Sequence, residues 1–218
     1  MELTISKRSF LRGLARTHAV ADRKSSMPIL SNILVSTDGP GTLRLAATDL
    51  YLAVSATAEA KVQKGGTVAV GAKTLFEIVR NLPEGDVHWT VGPKNAAEIR
   101  CGNVRFKIPG MPGEEFPALP SPGEAKLVDL DAETLSDLIA RTQYSMSTDD
   151  TRPHLASTLF EGDGKMVRMV TTDGHRLSKA ERKLPDGAPM LNFTMLVPSK
   201  GIGELRRLLD DAKADRQK

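Results

Sequence analysis

The chain has 218 residues, 40% of them hydrophobic, which is enough to bury a core and fits one large or two ordinary domains. Lys and Arg number 30 against 27 Asp and Glu, divided 15 to 12 over residues 1–125 and 15 to 15 over 126–218, so a bulk basic excess is excluded and any attraction to nucleic acid must come from locally arranged charge. Cys101 is the single cysteine and excludes an intrachain disulfide; with no apolar run near the ~18 residues of a membrane span and no charged segment leading into an apolar one at the N-terminus, the expectation is a cytoplasmic protein without membrane association.

In chain order, MELTIS predicts a short strand and residues 7–18 a helix with Phe10, Leu11, Leu14 and Ala15 on one side. ILSNILVS and TLRLAAT flank the turn-rich Asp38-Gly39-Pro40-Gly41, a hairpin signal. YLAVSATAEA is expected to continue that sheet; TVAVG is the next strand, followed by a helix over 72–82 that stops before Pro83 and Gly85. Three strands follow, DVHWTV, AEIRC and VRFKI. Five prolines and three glycines between Pro109 and Gly123 are too many breakers for an element interior, and 109–123 is read as an interdomain linker. Beyond it come a strand KLVDL, a helix over 132–144, a hairpin about Gly162-Asp163-Gly164, a strand into HRLSKAERKL, a strand NFTMLV and a helix from about Lys200.

The second series repeats the first. RSFLRGLART (8–17) returns 125 positions later as ETLSDLIART (133–142), PILSNILV as PHLASTLF, and LRLAATDLYLAVSA as VRMVTTDGHRLSKA. An internal repeat of this length divides the chain into two units, 1–125 and 126–218, the second ending before the counterparts of three strands, so that its sheet is expected to keep an open edge.

Arg8, Arg12 and Arg16 fall at i, i+4 and i+8 opposite Phe10 and Leu14, with Lys7 and His18 nearby. Like charges at that spacing cost helix stability and point to a facing polyanion, although a charged face is ordinarily only solvated. Lys73 with Arg80, and Lys200 with Arg207, are seven apart but interleaved with acids, which suits loose attraction to phosphate without base readout. Asp173 and His175 could share a cation, but the first copy has Thr48-Asp49-Leu50-Tyr51 at the same place with no histidine, so the common Thr-Asp is read as a turn satisfying backbone donors. The four histidines lack zinc spacing, no Gly-rich phosphate loop is present, and neither catalysis nor a cofactor is expected; a metal-dependent hydrolase using Asp173 and His175 is the rival reading. Cys101 and Trp89 are read as core.

SMPILSNILV (26–35), AATDLYL (46–52), FKIPGMPGEEFPALP (106–120), RPHLASTLFE (152–161) and TTDGHRLS (171–178) closely resemble the bacterial sliding clamp family, the beta subunit of DNA polymerase III. The resemblance covers the whole chain. It implies an α+β DNA-clamp fold of tandem repeats, each of two helices packed on antiparallel β-sheet, the second repeat here incomplete and a third absent. It implies a non-catalytic processivity factor in which two protomers close head to tail around duplex DNA. Helix 7–18 with Arg8, Arg12 and Arg16 would then face the DNA, joined by Lys24, Lys73, Arg80, Lys200 and His154; the loop 147–154, with Asp149 and Pro153, departs from the family's pattern. Leu155, Thr172, Gly174, His175, Arg176 and Leu177 match one wall of a groove that takes short linear peptides from the polymerase III alpha subunit and the clamp loader. The edge around Arg105, Phe106 and Ile108 matches the family's dimer interface. A chain lacking the third repeat is expected not to close that ring; a clamp paralogue that binds replication proteins without encircling DNA is the alternative.

Overall fold

In the computed structural model, which describes all residues except 23–24, 120–128, 150, 189 and 217–218, the chain divides into two compact units, Met1–Pro122 and Gly123–Lys218. The boundary lies three residues before the expected one.

Unit 1 begins with β1 (Glu2–Ser6) running directly into α1 (Lys7–Thr17). Ser6 caps the helix by accepting from the Ser9 amide at 3.2 Å, the side-chain capping that a serine at this position favours. The hairpin of β2 (Asn32–Thr37) and β3 (Thr42–Thr48) is followed by β4 (Ala53–Glu59), β5 (Lys61–Lys64) and β6 (Thr67–Gly71), then α2 (Ala72–Asn81) and three further strands, β7 (Asp86–Val91), β8 (Ala97–Cys101) and β9 (Val104–Ile108). A short β10 (Gly110–Pro112) closes the unit. Two antiparallel five-stranded sheets result, ordered β5-β1-β7-β8-β9 and β10-β6-β2-β3-β4.

Alternation drives the layering. Leu3 and Ile5 of β1 point inward beside Val87 and Trp89 of β7 and Ile99 of β8, and meet Phe10 and Leu14 of α1 and Leu75 and Val79 of α2 in one core. Phe10 stands edge-on to Trp89, with centroids 5.9 Å apart and planes at 90°. Cys101 is buried and its thiol donates to the Pro83 carbonyl. Gly13 lets α1 approach β3: a Cβ there would sit 2.7 Å from Leu45 Cδ1.

Two expectations for unit 1 are corrected. The first concerns YLAVSATAEA: only Ala53–Glu59 of it is strand β4, and KVQK, outside any expected element, is the separate strand β5. The chain leaves the β3–β4 sheet at Ala60 and pairs β5 with β1, the crossing held by Ala60 N–H to Gly41 O and Val62 N–H to Pro40 O. The segment read as linker from Pro109 is partly a strand: β10 adds to the edge of β6 with Gly110 opposite Val70 and Pro112 opposite Val68. Pro is tolerated at an edge because no ladder donor is needed on its outer side. Gly110 is required by the close approach, since a Cβ would meet Val68 Cγ2 at 2.9 Å. Phe116 then packs with Ile29, Leu30 and Ala69 in a small separate cluster, while 120–123 of the expected linker lies outside the described residues.

Unit 2 carries α3 (Ala132–Thr142), β11 (Ser157–Gly164), β12 (Met166–Thr172), β13 (Leu177–Lys183), β14 (Leu191–Pro198) and α4 (Ser199–Arg216). Asp131 caps α3, accepting from the Thr134 amide at 2.8 Å. The sheet order β13-β12-β11-β14 repeats β4-β3-β2-β6 of unit 1, and α3 and α4 stand where α1 and α2 do in the chain order. Thr17 and Thr142 end the paired helices in the same way, each hydroxyl donating to the carbonyl four residues back at 2.9 and 2.8 Å. Leu138, Ile139, Val167, Met169 and Ile202 form the core. The strand expected over 126–130 lies mostly outside the described residues, and Asp129 and Leu130 belong to no strand.

Gly13→Val is expected to destabilise unit 1 by about 1–3 kcal/mol through overpacking against Leu45, read by chemical denaturation of the chain, whereas Gly41→Ala, with nothing within 4 Å of the added Cβ, is expected to leave it near neutral.

Candidate nucleic-acid and peptide interfaces

Because Phe10, Gly13, Leu14 and Thr17 are the buried positions of α1, Arg8, Arg12 and Arg16 are carried to its outer side. Arg8 and Arg12 are exposed and Arg16 half-buried; Arg12 and Arg16 line a groove with Ser9, Gly13 and residues 57–59 of β4. On α2, Lys73 and Arg80 are exposed. Lys73 Nζ lies 3.7 Å from Glu77, and the Arg80 guanidinium sits 5.7 Å from the Phe76 ring centroid, within range of a cation–π attraction. α1 and α2 pack on one another, so these cations share one helix layer. Lys24 lies outside the described residues.

In unit 2, Lys200 is exposed in the first turn of α4. His154 is exposed on a turn that Asp149 organises: its Oδ1 accepts from the Thr151 hydroxyl at 2.6 Å and the Thr151 amide at 3.0 Å. Those two bonds, with a smaller contribution from Arg152, hold the Asp149 carboxyl below its ordinary range. The acid that departs from the family pattern therefore has a local structural task.

The two Thr-Asp segments form the same turn. Asp49 Oδ1 accepts from the amides of Tyr51 and Leu52 at 3.0 and 2.7 Å, and Asp173 Oδ1 from those of His175 and Arg176, both at 3.0 Å. Thr48 Oγ1 accepts from Leu50 N–H and donates to Leu52 O; Thr172 Oγ1 does likewise with Gly174 N–H and Arg176 O. The residue after Asp has positive φ in both, Leu50 at 75° and Gly174 at 92°, a conformation that costs a branched side chain and is free for glycine. Asp173 Oδ2 also accepts from Arg176 Nε at 2.9 Å. Both carboxylate oxygens are thus engaged in holding the turn, and the described residues contain no group of three His, Cys, Asp or Glu arranged to hold a metal.

Thr172 pairs with Leu177 across the mouth of this turn. Arg176 Nη2 reaches the Tyr144 carbonyl at 2.7 Å, tying the turn to the segment after α3, and Leu155 hydrogen-bonds back to Ser147 through its carbonyl at 2.9 Å. Leu177 is 64% exposed and Tyr144 62%, so apolar area stands open beside His175 and Arg176. Tyr144 was not singled out by the sequence, since its proximity to Arg176 spans 32 residues and leaves no local pattern.

At the outer edge of β9, Arg105 Nη2 binds Glu98 Oε2 at 2.6 Å while Arg100 takes the other oxygen of the same carboxylate. Phe106 is half-exposed, but Ile108 is turned inward and belongs to the core of unit 1. Alternation along β9 sends the Ile108 side chain inside, while its backbone stays in the edge strand of the sheet.

Hydrogen bonding by the His175 and Arg176 amides, then the Arg176 side chain, lowers the Asp173 carboxyl to about 2. A carboxylate lowered on folding contributes stability that is complete above its unfolded value of about 3.9 and is lost as the pH falls towards about 2. Asp173→Ala is therefore expected to lower the melting temperature at neutral pH and to converge on the parent below that window, with Asp49→Ala producing a comparable loss at neutral pH. Leu50→Gly is expected to stabilise unit 1 by about 1 kcal/mol through relief of the positive φ, measured by thermal melts.

Residues 1–120 match the family model of the DNA polymerase III beta subunit, N-terminal domain, and residues 129–216 that of its central domain. The beta sliding clamp of Caulobacter vibrioides is 38% identical over 97% of this chain, and that of Escherichia coli K12 is 33% identical over 96%. The solved pol III beta structure of Caulobacter crescentus superimposes with a TM-score of 0.89 at 36% identity, covering 97% of this chain and 58% of that one. A Pseudomonas aeruginosa DnaN sliding clamp bound to griselimycin does so with a TM-score of 0.84 at 30% identity, covering 96% and 56%. The chain spans 58% of the length of the Caulobacter relative and 57% of the Escherichia coli one. With both units matched in order and the α+β repeat fold in common, the chain belongs to the DNA polymerase III beta subunit family, the beta sliding clamps.

Proposed function

We propose that this chain is the duplex-facing and partner-binding portion of a non-catalytic replication processivity clamp, acting in the bacterial cytoplasm. The observation that carries the reading is the outer face of α1, where Arg8, Arg12 and Arg16 stand on a helix whose inner face is locked into the core. Such a face attracts phosphate without reading bases, and weak attraction of this kind allows sliding. Lys73 and Arg80 from the adjoining helix extend it, and His154 and Lys200 are the contributions assigned to unit 2. In a three-repeat clamp retention on DNA is topological, through head-to-tail closure with a second protomer at the β9 edge around Arg105, Phe106 and Ile108; the 218 residues alone are expected to bind duplex only through these weak phosphate contacts.

The turn 172–177 with Leu155 is one wall of a groove for short linear peptides of the polymerase III alpha subunit and the clamp loader. Rigid hydrogen bonding of the turn lowers the ordering cost on binding, and the open apolar surface of Leu177 supplies the driving area, at about 25 cal/mol per Å² buried.

In the complete protein, replacing Arg8, Arg12 and Arg16 by Ala is expected to weaken duplex binding for every base sequence and to reduce the slope of log K against log salt by up to about three, close to one for each phosphate no longer neutralised. An unchanged slope would overturn the DNA-facing assignment. Leu177→Ala is expected to weaken an apolar clamp-binding peptide by about tenfold in a fluorescence titration, as a partly buried side chain is removed, with the thermal melt unaltered; unaltered peptide affinity would remove the turn from the groove.

A further inference from the structure

β14 (Leu191–Pro198) is the last strand in the order β13-β12-β11-β14, with none beyond it among the described residues. The repeat shows what such an edge takes. Asn32 is opposite Gly71 in unit 1 as Ser157 is opposite Pro198 in unit 2, which makes Val68, Ala69 and Val70 of β6 the counterparts of Met195, Leu196 and Val197. β10 pairs with those three residues of β6, and all three are fully buried. Met195, by contrast, is 46% exposed and Leu196 54%. Phe193 and Val197, on the same face as Met195, are only half-buried although they pack on the core of unit 2. β14 thus presents a row of backbone donors and acceptors flanked by apolar side chains on both faces, the form of edge that pairs with another strand.

We propose that β14 is a self-association edge, along which a second copy of this chain adds its own β14 antiparallel about a two-fold axis, joining the sheets of the two copies into one. The charge pattern selects this occupant. LNFTMLVP carries no ionisable side chain, so two identical strands meet without like charges opposed, the penalty that keeps a charged edge from pairing with itself. Other edge strands carry that protection: Lys61 and Lys64 on β5, Arg105 and Lys107 on β9, Lys179 and Lys183 on β13. β10 is three residues ending in Pro112, and β4 ends in Glu59 and packs on α1. An axis perpendicular to the sheet keeps core face on core face, so Phe193, Met195 and Val197 of the two copies share one row while Thr194 and Leu196 share the other. One patch meets itself, so the contact closes at two copies. It is distinct from the head-to-tail contact at the β9 edge and independent of the DNA-facing reading.

The test is sedimentation velocity of the 218-residue chain over a wide range of protein concentration, with amide hydrogen exchange measured at both ends of that range. Wild type is expected to pass from monomer to dimer and to stop there, and the amides of β14 to gain protection in the dimer, a readout that needs no variant. Thr194 is exposed and opposite Glu161 of β11, so Thr194→Lys acquires a neighbouring acid within its own chain while setting two lysines against each other across the axis. It is expected to weaken the dimer by about fivefold, the scale of an unfavourable cross-strand pair, with the thermal melt retained. Mixing Thr194→Lys with Thr194→Glu is expected to restore a mixed dimer, and Lys183→Glu, on the opposite edge strand of the sheet, to leave dimerisation unchanged. A chain that stays monomeric at every concentration overturns the proposal. Protection of the β14 amides already complete in the monomer does so too, since a segment of the same chain then covers the edge. A dimer whose β14 amides exchange as in the monomer, or one indifferent to Thr194→Lys, places the contact on another face, and growth beyond the dimer overturns the closed two-fold arrangement.

Discussion

Burial of Phe10 and Leu14 against Trp89 and the inner faces of the two sheets sets the rotation of α1 about its own axis, and most of what unit 1 presents to solvent depends on that rotation. Each such side chain contributes about 1.5–3 kcal/mol by leaving water, several times the few tenths that neighbouring like charges cost on a helix surface. The core term wins, and Arg8, Arg12 and Arg16 are held outward as a row whether or not anything neutralises them. Gly13 tightens the arrangement by allowing the helix to settle on Leu45. A basic face whose direction is fixed by packing in the core loses little order when it meets a polyanion.

The Thr-Asp turn is the second rigid device, and the repeat has put it to two uses. In both units the Thr hydroxyl and the Asp carboxylate close the same ring of bonds to the backbone. What differs is the tip. Unit 1 places Leu50 and an almost fully exposed Tyr51 there, accepting positive φ at a leucine. Unit 2 places Gly174 and His175, removes the strain, and adds Arg176, which ties the turn both to Asp173 and to the Tyr144 carbonyl. The frame is structural in origin, and the residues set upon it decide what surface results.

Much of this was legible in the sequence because periodicity is a local property. The 3.6-residue spacing of Phe10 and Leu14 against the arginines identified the helix and its two faces, the Asp38–Gly41 turn identified a hairpin, and the recurrence of Thr-Asp marked a turn rather than a catalytic pair. The exchange of sheets at Ala60 was not legible, because alternation runs unbroken from β4 into β5 and a change of pairing partner leaves side-chain direction unaltered. The short β10 was hidden for the opposite reason. Its Gly and Pro are breakers in isolation, and only the exposed edge of β6, with Val68 close against Gly110, makes a strand of them.

The sequence by itself therefore determined the two-unit repeat, through recurrence at an offset of 125 residues, and most of the helices and strands in each unit, the basic outer face of α1 and the nature of the Thr-Asp turns, which follow from residues within a few positions of one another. Tertiary structure alone decided that Ile108 faces the core, that Glu98 holds two arginines at the β9 edge, that Arg176 reaches Tyr144, and that His18 lies flat on Phe76 beside Lys73 and Arg80. The reason is separation along the chain. Most of these pairings join groups tens of residues apart, and Ile108 turns inward only because β9 is laid against β8; such contacts are made by the folding of one layer onto another, a step that no local spacing of residue types records.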